Sequence, residues 1–229
     1  MTTPLKLVMF DLDGTLIETA PEIADAVNDT LTHLGLPLVT LQQVNDWIGY
    51  GTHTLLVSAL ADAKQTSKEV IHAWDGLSNA STVFNVYYQQ RCGTRSHLYP
   101  HVSSVLTELK QQGVRLAVVT NKESRFTQTV LQAHALQDTF DIVISGDTLP
   151  TKKPNPAGIQ HCLDRFGLKA QESIFIGDSS IDAATAKNAG VRVWLLPYGY
   201  NMGESVHAAN PDQVIPDFLP ILSLLEQAS

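Results

Sequence analysis

The sequence contains little that would stabilise a secreted protein or anchor one in a membrane. Only two of its 229 residues are cysteines, Cys92 and Cys162, which is too few for a disulfide framework and is typical of a reducing compartment. No apolar run approaches the roughly 18 to 20 residues that cross a bilayer. The residues before Asp11 lack the cationic start and the long apolar run of a signal peptide. We therefore expect a cytoplasmic protein that does not bind membranes.

Positive charge is also scarce. Fifteen lysines and arginines stand against 23 acidic residues, for a net charge of −8, which argues against nucleic-acid binding. A small anionic substrate remains compatible, because a bound cation and a few lysines can reverse the sign of the field within a cleft. The sequence has neither a Walker motif nor G-x-G-x-x-G, so it implies no nucleotide cofactor, and its eight histidines include no H-E-x-x-H zinc motif.

Five short apolar segments predict the strands of a parallel sheet. They are rich in Val and Ile and nearly uninterrupted by polar residues, as expected when helices cover both faces of a sheet. Amphipathic helical patterns separate the later four segments. The pattern indicates the α/β class, with a doubly wound, Rossmann-like, parallel five-stranded core. The five segments are Leu5–Phe10, Leu116–Thr120, Ile142–Ser145, Ile174–Ile176 and Val191–Leu196.

The connection after the first strand is far too long for an ordinary loop. It carries helical patterns and no strong strand signal. At its start, Thr19-Ala20-Pro21-Glu22 predicts a helix with a capping box, in which the Thr19 hydroxyl accepts a bond from the backbone N–H of Glu22. We expect an α/β catalytic core formed by residues 1–15 and 93–229, with residues 16–92 inserted as a helical cap.

Acidic, hydroxyl and ammonium side chains follow the predicted strands or lie between them. The first strand runs directly into Asp11-Leu12-Asp13-Gly14-Thr15. Because ligands bind at the carboxyl ends of the strands in open α/β sheets, we expect these side chains to meet in one site. The residues that should join this segment are Thr120, Asn121, Lys153, Asp178 and Asp182.

This set of side chains suits phosphoryl transfer. Asp11 can attack phosphorus and form an aspartyl-phosphate, and Asp13 can act as general acid and then as general base. A hard cation must offset the repulsion between carboxylates and phosphate. Mg²⁺ fits this requirement, with Asp11 and Asp178 as its natural ligands, while Asp182 could hold a metal-bound water.

Two further groups are predicted to bind phosphate. The Thr120 hydroxyl can donate to a phosphate oxygen, and Lys153 can pair with both the phosphate and Asp11. Lys152 is an alternative to Lys153. We favour Lys153 because the residue before Pro154 is held extended.

In this order the motifs resemble the haloacid dehalogenase superfamily over essentially the whole chain. The resemblance implies a parallel-sheet core with a helical cap inserted after the first motif. It also implies that the backbone carbonyl of Asp13 is the third protein ligand of Mg²⁺. The matching segments are Asp11–Thr15, Thr120-Asn121, Lys153-Pro154 and Gly177-Asp178 with Asp182.

Three other stretches are similar to the bacterial phosphoglycolate phosphatases of that superfamily: residues 19–23, 47–51 and 197–204. This similarity implies a phosphoric monoester hydrolase that converts 2-phosphoglycolate to glycolate and phosphate, with a cap loop that helps to select the substrate. Glu18 and Asn155 depart from the residues that relatives often carry, aspartate and histidine, and these departures concern the substrate and not the chemistry. The candidate substrate-binding residues are Thr15, Asn121, Ile48, Gly49, Gly51 and His53.

Other functions remain open at this stage. A phosphomutase of the same superfamily would use the same motifs. A non-catalytic receiver-like switch also combines a strand-end aspartate with threonine and lysine, although it needs no large insert. A haloalkanoate dehalogenase would need no Mg²⁺ and would leave Asp13 without a use. The expected partner is a small phosphate ester, and the protein is expected to be a monomer or a homodimer.

Overall fold

The computed structural model describes residues 4–226 and places a parallel sheet at the centre of the molecule. Six strands are hydrogen-bonded in the order β5-β4-β1-β6-β7-β8, and every neighbouring pair is parallel. The strands β2 and β3 form a separate antiparallel pair. The bounds are β1 Leu7–Phe10, β2 Ile17–Glu18, β3 His97–Leu98, β4 Arg115–Val119, β5 Ile142–Ile144, β6 Ser173–Gly177, β7 Arg192–Leu195 and β8 Gln213–Val214.

Helices lie between the strands, and a group of five separates β2 from β3. In addition there are short 3₁₀ turns at Ala170–Glu172, Val206–Ala209 and Leu219–Leu222. None of the helices within residues 4–226 is long and apolar enough to cross a membrane. The helices are α1 Ala20–His33, α2 Leu41–Trp47, α3 Thr52–Ala63, α4 Lys68–His72, α5 Leu77–Arg91, α6 Val102–Gln111, α7 Ser124–Ala133, α8 Ala157–Phe166, α9 Ser180–Asn188 and α10 Ser223–Glu226.

The predicted α/β fold class is confirmed. All five predicted strands are present in a parallel sheet, and their ends differ from the predicted bounds by at most two residues. The sequence pattern missed β8, the sixth strand of the sheet, and the β2–β3 pair. Each of these strands has only two residues, which is too short to show the alternation or the apolar run that marks a strand.

Alternate residues of the central strands face two separate apolar layers. On one face, Val8 and Phe10 of β1 join a cluster that also contains the buried side chains of α1, α3 and α6. On the other face, Leu7 and Met9 pack with residues of α8 and α9, including Cys162. This period of two explains why nearly every residue of these strands is apolar.

The sheet order places Asp11 at a change of winding direction. From β1 the chain goes to the adjacent β4 and then outward to β5, and it returns to pair β6 with the other side of β1. The end of β1 is therefore flanked by the ends of β4 and β6. This switch point is where open α/β sheets bind ligands.

The helices α1 to α5 lie within the segment that was predicted as a cap. Their buried apolar side chains belong to the same cluster as one face of the sheet. The segment also contains β2, whose residues Ile17 and Glu18 pair with Leu98 and His97 of β3. The division into a core of residues 1–15 and 93–229 and a cap of residues 16–92 stays a prediction.

The predicted capping box at the start of α1 is wrong. The helix does begin at Ala20, but the Thr19 side chain caps no backbone N–H. Its hydroxyl donates instead to Asp13 Oδ1 at 2.6 Å. The Tyr200 hydroxyl accepts from the backbone N–H groups of Thr19 and Ala20, at 3.1 and 2.9 Å. A hydroxyl from a distant part of the chain thus accepts hydrogen bonds at the start of α1, in place of the predicted capping box.

Candidate active site

Three carboxylates converge at the ends of β1 and β6. Asp11 follows β1, Asp178 follows β6, and Asp182 lies in the first turn of α9. One oxygen from each lies within 4.8 Å of the other two. The fold therefore brings together side chains that are far apart in the sequence.

Asp178 is held by two short hydrogen bonds. Its Oδ1 accepts from the Thr15 hydroxyl at 2.5 Å, and its Oδ2 accepts from the backbone N–H of Tyr200 at 2.6 Å. Gly14 has a φ of +80°, and a Cβ there would lie 2.4 Å from Asp178 Oδ2. Only glycine fits this turn, because it tolerates positive φ and leaves room for the carboxylate.

Asp182 supports the turn that carries Asp178. Its Oδ2 accepts from the backbone N–H groups of Asp178 and Ser179 at 3.1 and 3.0 Å, and from the Ser179 hydroxyl at 2.7 Å. The Ser179 hydroxyl in turn accepts from the backbone N–H of Asp182, which completes a capping box at the start of α9. Asp182 thus holds the backbone of the turn from which the Asp178 side chain extends.

The Lys153 ammonium group bridges two of the carboxylates. Its Nζ lies 2.9 Å from Asp11 Oδ1 and 2.7 Å from Asp182 Oδ1. Burial would lower the pKa of Lys153, but the facing Asp11 and Asp182 carboxylates outweigh burial and raise it, so the group stays charged. Lys152, the alternative, has a side chain that is 37% exposed and lies 3.6 Å from Glu123.

The acidic cluster has the properties of a divalent-cation site. Burial raises the pKa of the Asp11 carboxyl to about 6, against the opposing attraction of Lys153. Burial, with the neighbouring Asp182 and Asp11, raises the pKa of Asp178 well above its usual range. Crowded, buried carboxylates favour a cation between them. An all-oxygen set suits a hard divalent metal, so the residues fit the metal that the sequence implies.

Asp13 belongs to a second network beside the acidic cluster. Its Oδ1 accepts from the Thr19 hydroxyl at 2.6 Å and from Lys122 Nζ at 2.8 Å. Lys122 also donates to the hydroxyl of Tyr88, a buried residue of α5. Burial would lower the pKa of Lys122, but the neighbouring acidic groups, chiefly Asp13 with smaller contributions from Cys92 and Glu22, outweigh burial and raise it.

A cavity of about 40 Å³ lies between the ends of β1, β4 and β6 and the helices α1, α3 and α5. Its small size suits a small ligand. The Asn121 amide donates to the Gly49 carbonyl at 2.9 Å and to the Lys153 carbonyl at 3.1 Å, so it ties the loop after α2 to the lysine loop. The lining residues are Asp11, Asp13, Ile23, Ile48, Gly49, Gly51, Thr52, Leu55, Tyr88, Thr120, Asn121, Lys122, Asp178, Ser179 and Tyr200.

The glycines of the loop after α2 have positive φ, which favours glycine. Gly49 and Gly51 have φ values of +135° and +91°. A Cβ on Gly51 would lie 3.1 Å from the Asn121 carbonyl oxygen and from Lys152 Nζ. Glycine at position 51 therefore lets the loop approach the segment after β4 closely, while a Cβ on Gly49 would lie 2.8 Å from Ile181 Cδ1 of α9.

Two predicted substrate-binding residues do not reach the cavity. Thr15 is fully buried beneath Asp178, to which its hydroxyl is bonded, because the Gly14 turn directs it away from the cavity. His53 is exposed and lies beside His72. It follows Thr52 on α3, and successive helical residues point in directions about 100° apart, so it faces away when Thr52 faces the site.

Three residues of the site were missed in the sequence. Lys122 directly follows Thr120-Asn121 at the end of β4, and a charged residue at a strand end is a signal that could have identified it. Tyr88 gave no such signal, and Tyr200 was marked only as part of the stretch 197–204 that resembles the family. Tyr88 falls inside an ordinary helical pattern, and the role of Tyr200 depends on contacts with residues far away in the chain.

Comparison with protein families gives one match that covers most of the chain. Residues 8–196 match the family described as haloacid dehalogenase-like hydrolase. The matched range includes Asp11 and β1 from its second residue onward, the helices α1 to α5, and the strand ends that carry Thr120 and Asp178.

Individual relatives match over nearly their full length. The chain is 38% identical to a phosphoglycolate phosphatase of Nitrosococcus oceani, covering 98% of each sequence. It is 40% identical to a phosphoglycolate phosphatase of Aliivibrio fischeri, covering 100% of each. A crystal structure of a predicted phosphoglycolate phosphatase from Haemophilus somnus superposes with a TM-score of 0.91 at 36% identity, covering 98% of this chain and 99% of the other.

Proposed function

The chain belongs to the haloacid dehalogenase-like hydrolase family and is a phosphoric monoester hydrolase, and we propose that it hydrolyses 2-phosphoglycolate with Mg²⁺. The observation that carries the proposal is that Asp11, Asp13 and Asp178 line one small cavity, where the Asp11 and Asp178 carboxylates converge and Lys153 is paired with Asp11. The names of the relatives support the choice of substrate.

In this reaction Asp11 is the nucleophile. Its carboxylate attacks the phosphorus atom, the ester oxygen leaves, and an aspartyl-phosphate forms on Asp11. Lys153, already 2.9 Å from Asp11 Oδ1, would neutralise charge on the phosphoryl oxygens, and the Thr120 hydroxyl would donate to one of them. Water then attacks phosphorus, which releases phosphate and restores the Asp11 carboxylate.

Asp13 supplies the proton that the leaving group needs. Both of its described hydrogen bonds are accepted by Oδ1, so Oδ2 is available to face the ester oxygen. It would protonate that oxygen in the first step and take a proton from the attacking water in the second. Thr19 and Lys122 fix its orientation for both steps.

Asp11, Asp178 and the backbone carbonyl of Asp13 would hold Mg²⁺. When bound, the metal supplies positive charge to the phosphoryl oxygens and lowers the repulsion between them and the carboxylates. Asp182 would act on this site through the turn at Asp178 and Ser179 that it supports.

We further propose that residues 16–92 act as a cap that excludes water during the first step. Two contacts would hold it closed. Asn121 binds the Gly49 carbonyl, and the Thr52 hydroxyl donates to Glu123 Oε1 at 2.8 Å. Movement would occur near residues 16–18 and 91–94, so that water can enter for the second step.

Metal binding should stabilise the fold measurably. Adding Mg²⁺ to metal-free protein at about 100 times its dissociation constant should add about 2.7 kcal/mol. For a chain of this length that corresponds to a rise in Tm of roughly 5 to 10 °C. Differential scanning calorimetry would measure the rise. The Asp178→Asn variant should lose it, whereas Asp164→Asn, on the exposed face of α8, should keep it; equal shifts in both variants would contradict Asp178 as a ligand.

A panel of phosphate esters tests the substrate. With Mg²⁺, kcat/KM should be highest for 2-phosphoglycolate among small phosphomonoesters, and a chelator should abolish the release of phosphate. Phosphate and free glycolate should appear in equal amounts, because hydrolysis transfers the phosphoryl group to water. An isomerised phosphate ester with no free phosphate would instead identify a mutase, and another ester with a much higher kcat/KM would contradict the substrate assignment.

A further inference from the structure

Lys122 lies on the wall of the cavity, next to the proposed general acid. Its side chain is only 1% exposed, and its Nζ is 2.8 Å from Asp13 Oδ1. Among the described residues that line this cavity it is the only lysine or arginine. A lysine on the surface contributes to solubility, but a buried lysine does not. Burial of its charge is costly unless the charge is paired, so its place in this cavity indicates a specific role.

One of the three N–H groups of this ammonium has no described acceptor. An ammonium group has three donors, and the described bonds go to Asp13 Oδ1 and to the Tyr88 hydroxyl. The Nζ also lies 4.9 Å from the centre of the Tyr88 ring, which fixes the side chain against α5. The remaining donor is available to a ligand in the cavity.

The position of Lys122 matches the position of the leaving group. A general acid must lie within about 2.6 to 3.2 Å of the oxygen that it protonates, so the ester oxygen lies beside Asp13. In 2-phosphoglycolate the carboxylate carbon is two bonds from that oxygen. The carboxylate must therefore lie close to Asp13 as well, and Lys122 is the ammonium group bonded to Asp13.

The other cations near the site are less suited to this role. Lys153 is paired with both Asp11 and Asp182, on the side where the phosphoryl group is transferred. Lys152 is partly exposed and lies beside Glu123. The rest of the cavity wall combines apolar side chains with neutral polar groups such as Thr52, Asn121 and Ser179, which can donate hydrogen bonds but carry no positive charge to offset a carboxylate.

We propose that Lys122 binds the carboxylate of the substrate and selects phosphate esters whose leaving group carries a negative charge close to the ester oxygen. The inference rests on the proposed function and extends it to the residue that determines specificity. Lys122 thereby has two contacts in the complex, one to Asp13 and one to the leaving group, so that recognition and protonation of the leaving group occur side by side.

The test compares 2-phosphoglycolate with its amide, which has the same shape and no charge on the leaving group. Loss of Lys122 will slow both substrates, because Asp13 loses a partner, so the informative quantity is the ratio of the two kcat/KM values. In Lys122→Met this ratio should fall at least about 30-fold, as when one partner of a buried charge pair is removed. The Lys152→Met variant is the matched control and should keep the ratio of the unmodified protein.

A second variant shows whether misfolding of Lys122→Met explains the result. A binding measurement gives the comparison even when the rates of the variants are too low to measure. Lys122→Gln keeps a hydrogen-bond donor for Asp13 and Tyr88 but has no charge, and it should show the same fall in the ratio. Calorimetric binding of both esters to Asp11→Asn, with and without Lys122→Met, gives the same comparison without turnover. The preference for the acid over the amide should again fall about 30-fold.

The outcomes separate this inference from the proposed function. A protein that prefers the acid, and keeps that preference in both Lys122 variants, overturns the role of Lys122 and leaves the substrate assignment intact. Equal activity on the acid and the amide in the unmodified protein overturns both. A loss of the preference in Lys152→Met alone would assign the carboxylate to Lys152.

Discussion

Replacing Asp11 with asparagine should lower kcat/KM for phosphate release by at least about 10⁴-fold, as expected when a catalytic nucleophile is removed. The amide cannot attack phosphorus, and it also removes one oxygen ligand of the metal. Steady-state assays with 2-phosphoglycolate and Mg²⁺ would measure the loss. The effect should be the same for every ester in the panel, because each must pass through the same aspartyl-phosphate.

The loss of activity in Asp11→Asn should not come from unfolding. Burial raises the pKa of Asp11 to about 6 in the folded protein, above its value in the unfolded chain. A carboxyl group whose pKa is higher in the folded protein than in the unfolded chain lowers the free energy of unfolding at neutral pH, where the group is charged in both states. The Tm of the metal-free variant should therefore equal or exceed that of the unmodified protein. Asp164→Asn serves as the matched control, and wild-type activity in Asp11→Asn would exclude Asp11 as the nucleophile.

Replacing Asp13 with asparagine should lower kcat/KM for 2-phosphoglycolate by about 10²- to 10⁴-fold, the usual contribution of a general acid. The amide oxygen can still accept the bonds from Thr19 and Lys122, so the network around it should persist. The rate of the first step should fall far less with p-nitrophenyl phosphate, whose leaving group needs no proton. Rapid-quench kinetics with both esters would measure this difference.

The dependence on the leaving group is the critical part of the Asp13 prediction. If Asp13 only positioned other groups, the variant would slow the first step equally for both esters, and that result would contradict its role as general acid. Because Asp13 is also proposed to activate water, the second step should be slow in the variant. The phosphorylated protein should therefore accumulate during turnover of p-nitrophenyl phosphate.

The acidic and ammonium groups at the strand ends could be predicted from the sequence for a physical reason. Asp11 and Asp178 directly follow apolar runs that are easily recognised as buried strands, and the carboxyl ends of parallel strands share one edge of the sheet. Lys153 is marked by the proline that follows it. In each case the signal lies within a few residues of the functional group, so no knowledge of distant contacts is needed.

The groups that hold those side chains in place could not be predicted in the same way. Tyr200 binds Asp178 through its backbone and the start of α1 through its hydroxyl, over separations that no local pattern encodes. Thr19 shows the same limit, since its sequence fits a capping box but its hydroxyl bonds to Asp13. The bond from Lys122 to Tyr88 likewise joins two segments whose contact depends on the packing of α5 against α7, where Tyr88 lies against Phe126.

The most direct measurement is mass spectrometry of the protein after acid quench in the presence of Mg²⁺ and p-nitrophenyl phosphate, with Asp13→Asn used to slow the second step. We expect one phosphoryl group on the peptide that contains Asp11, sensitive to hydroxylamine as an acyl phosphate is, and none when Asp11→Asn is added to the same protein. A phosphoryl group on another residue, or release of product with no phosphorylated protein at any time, would contradict Asp11 as the nucleophile.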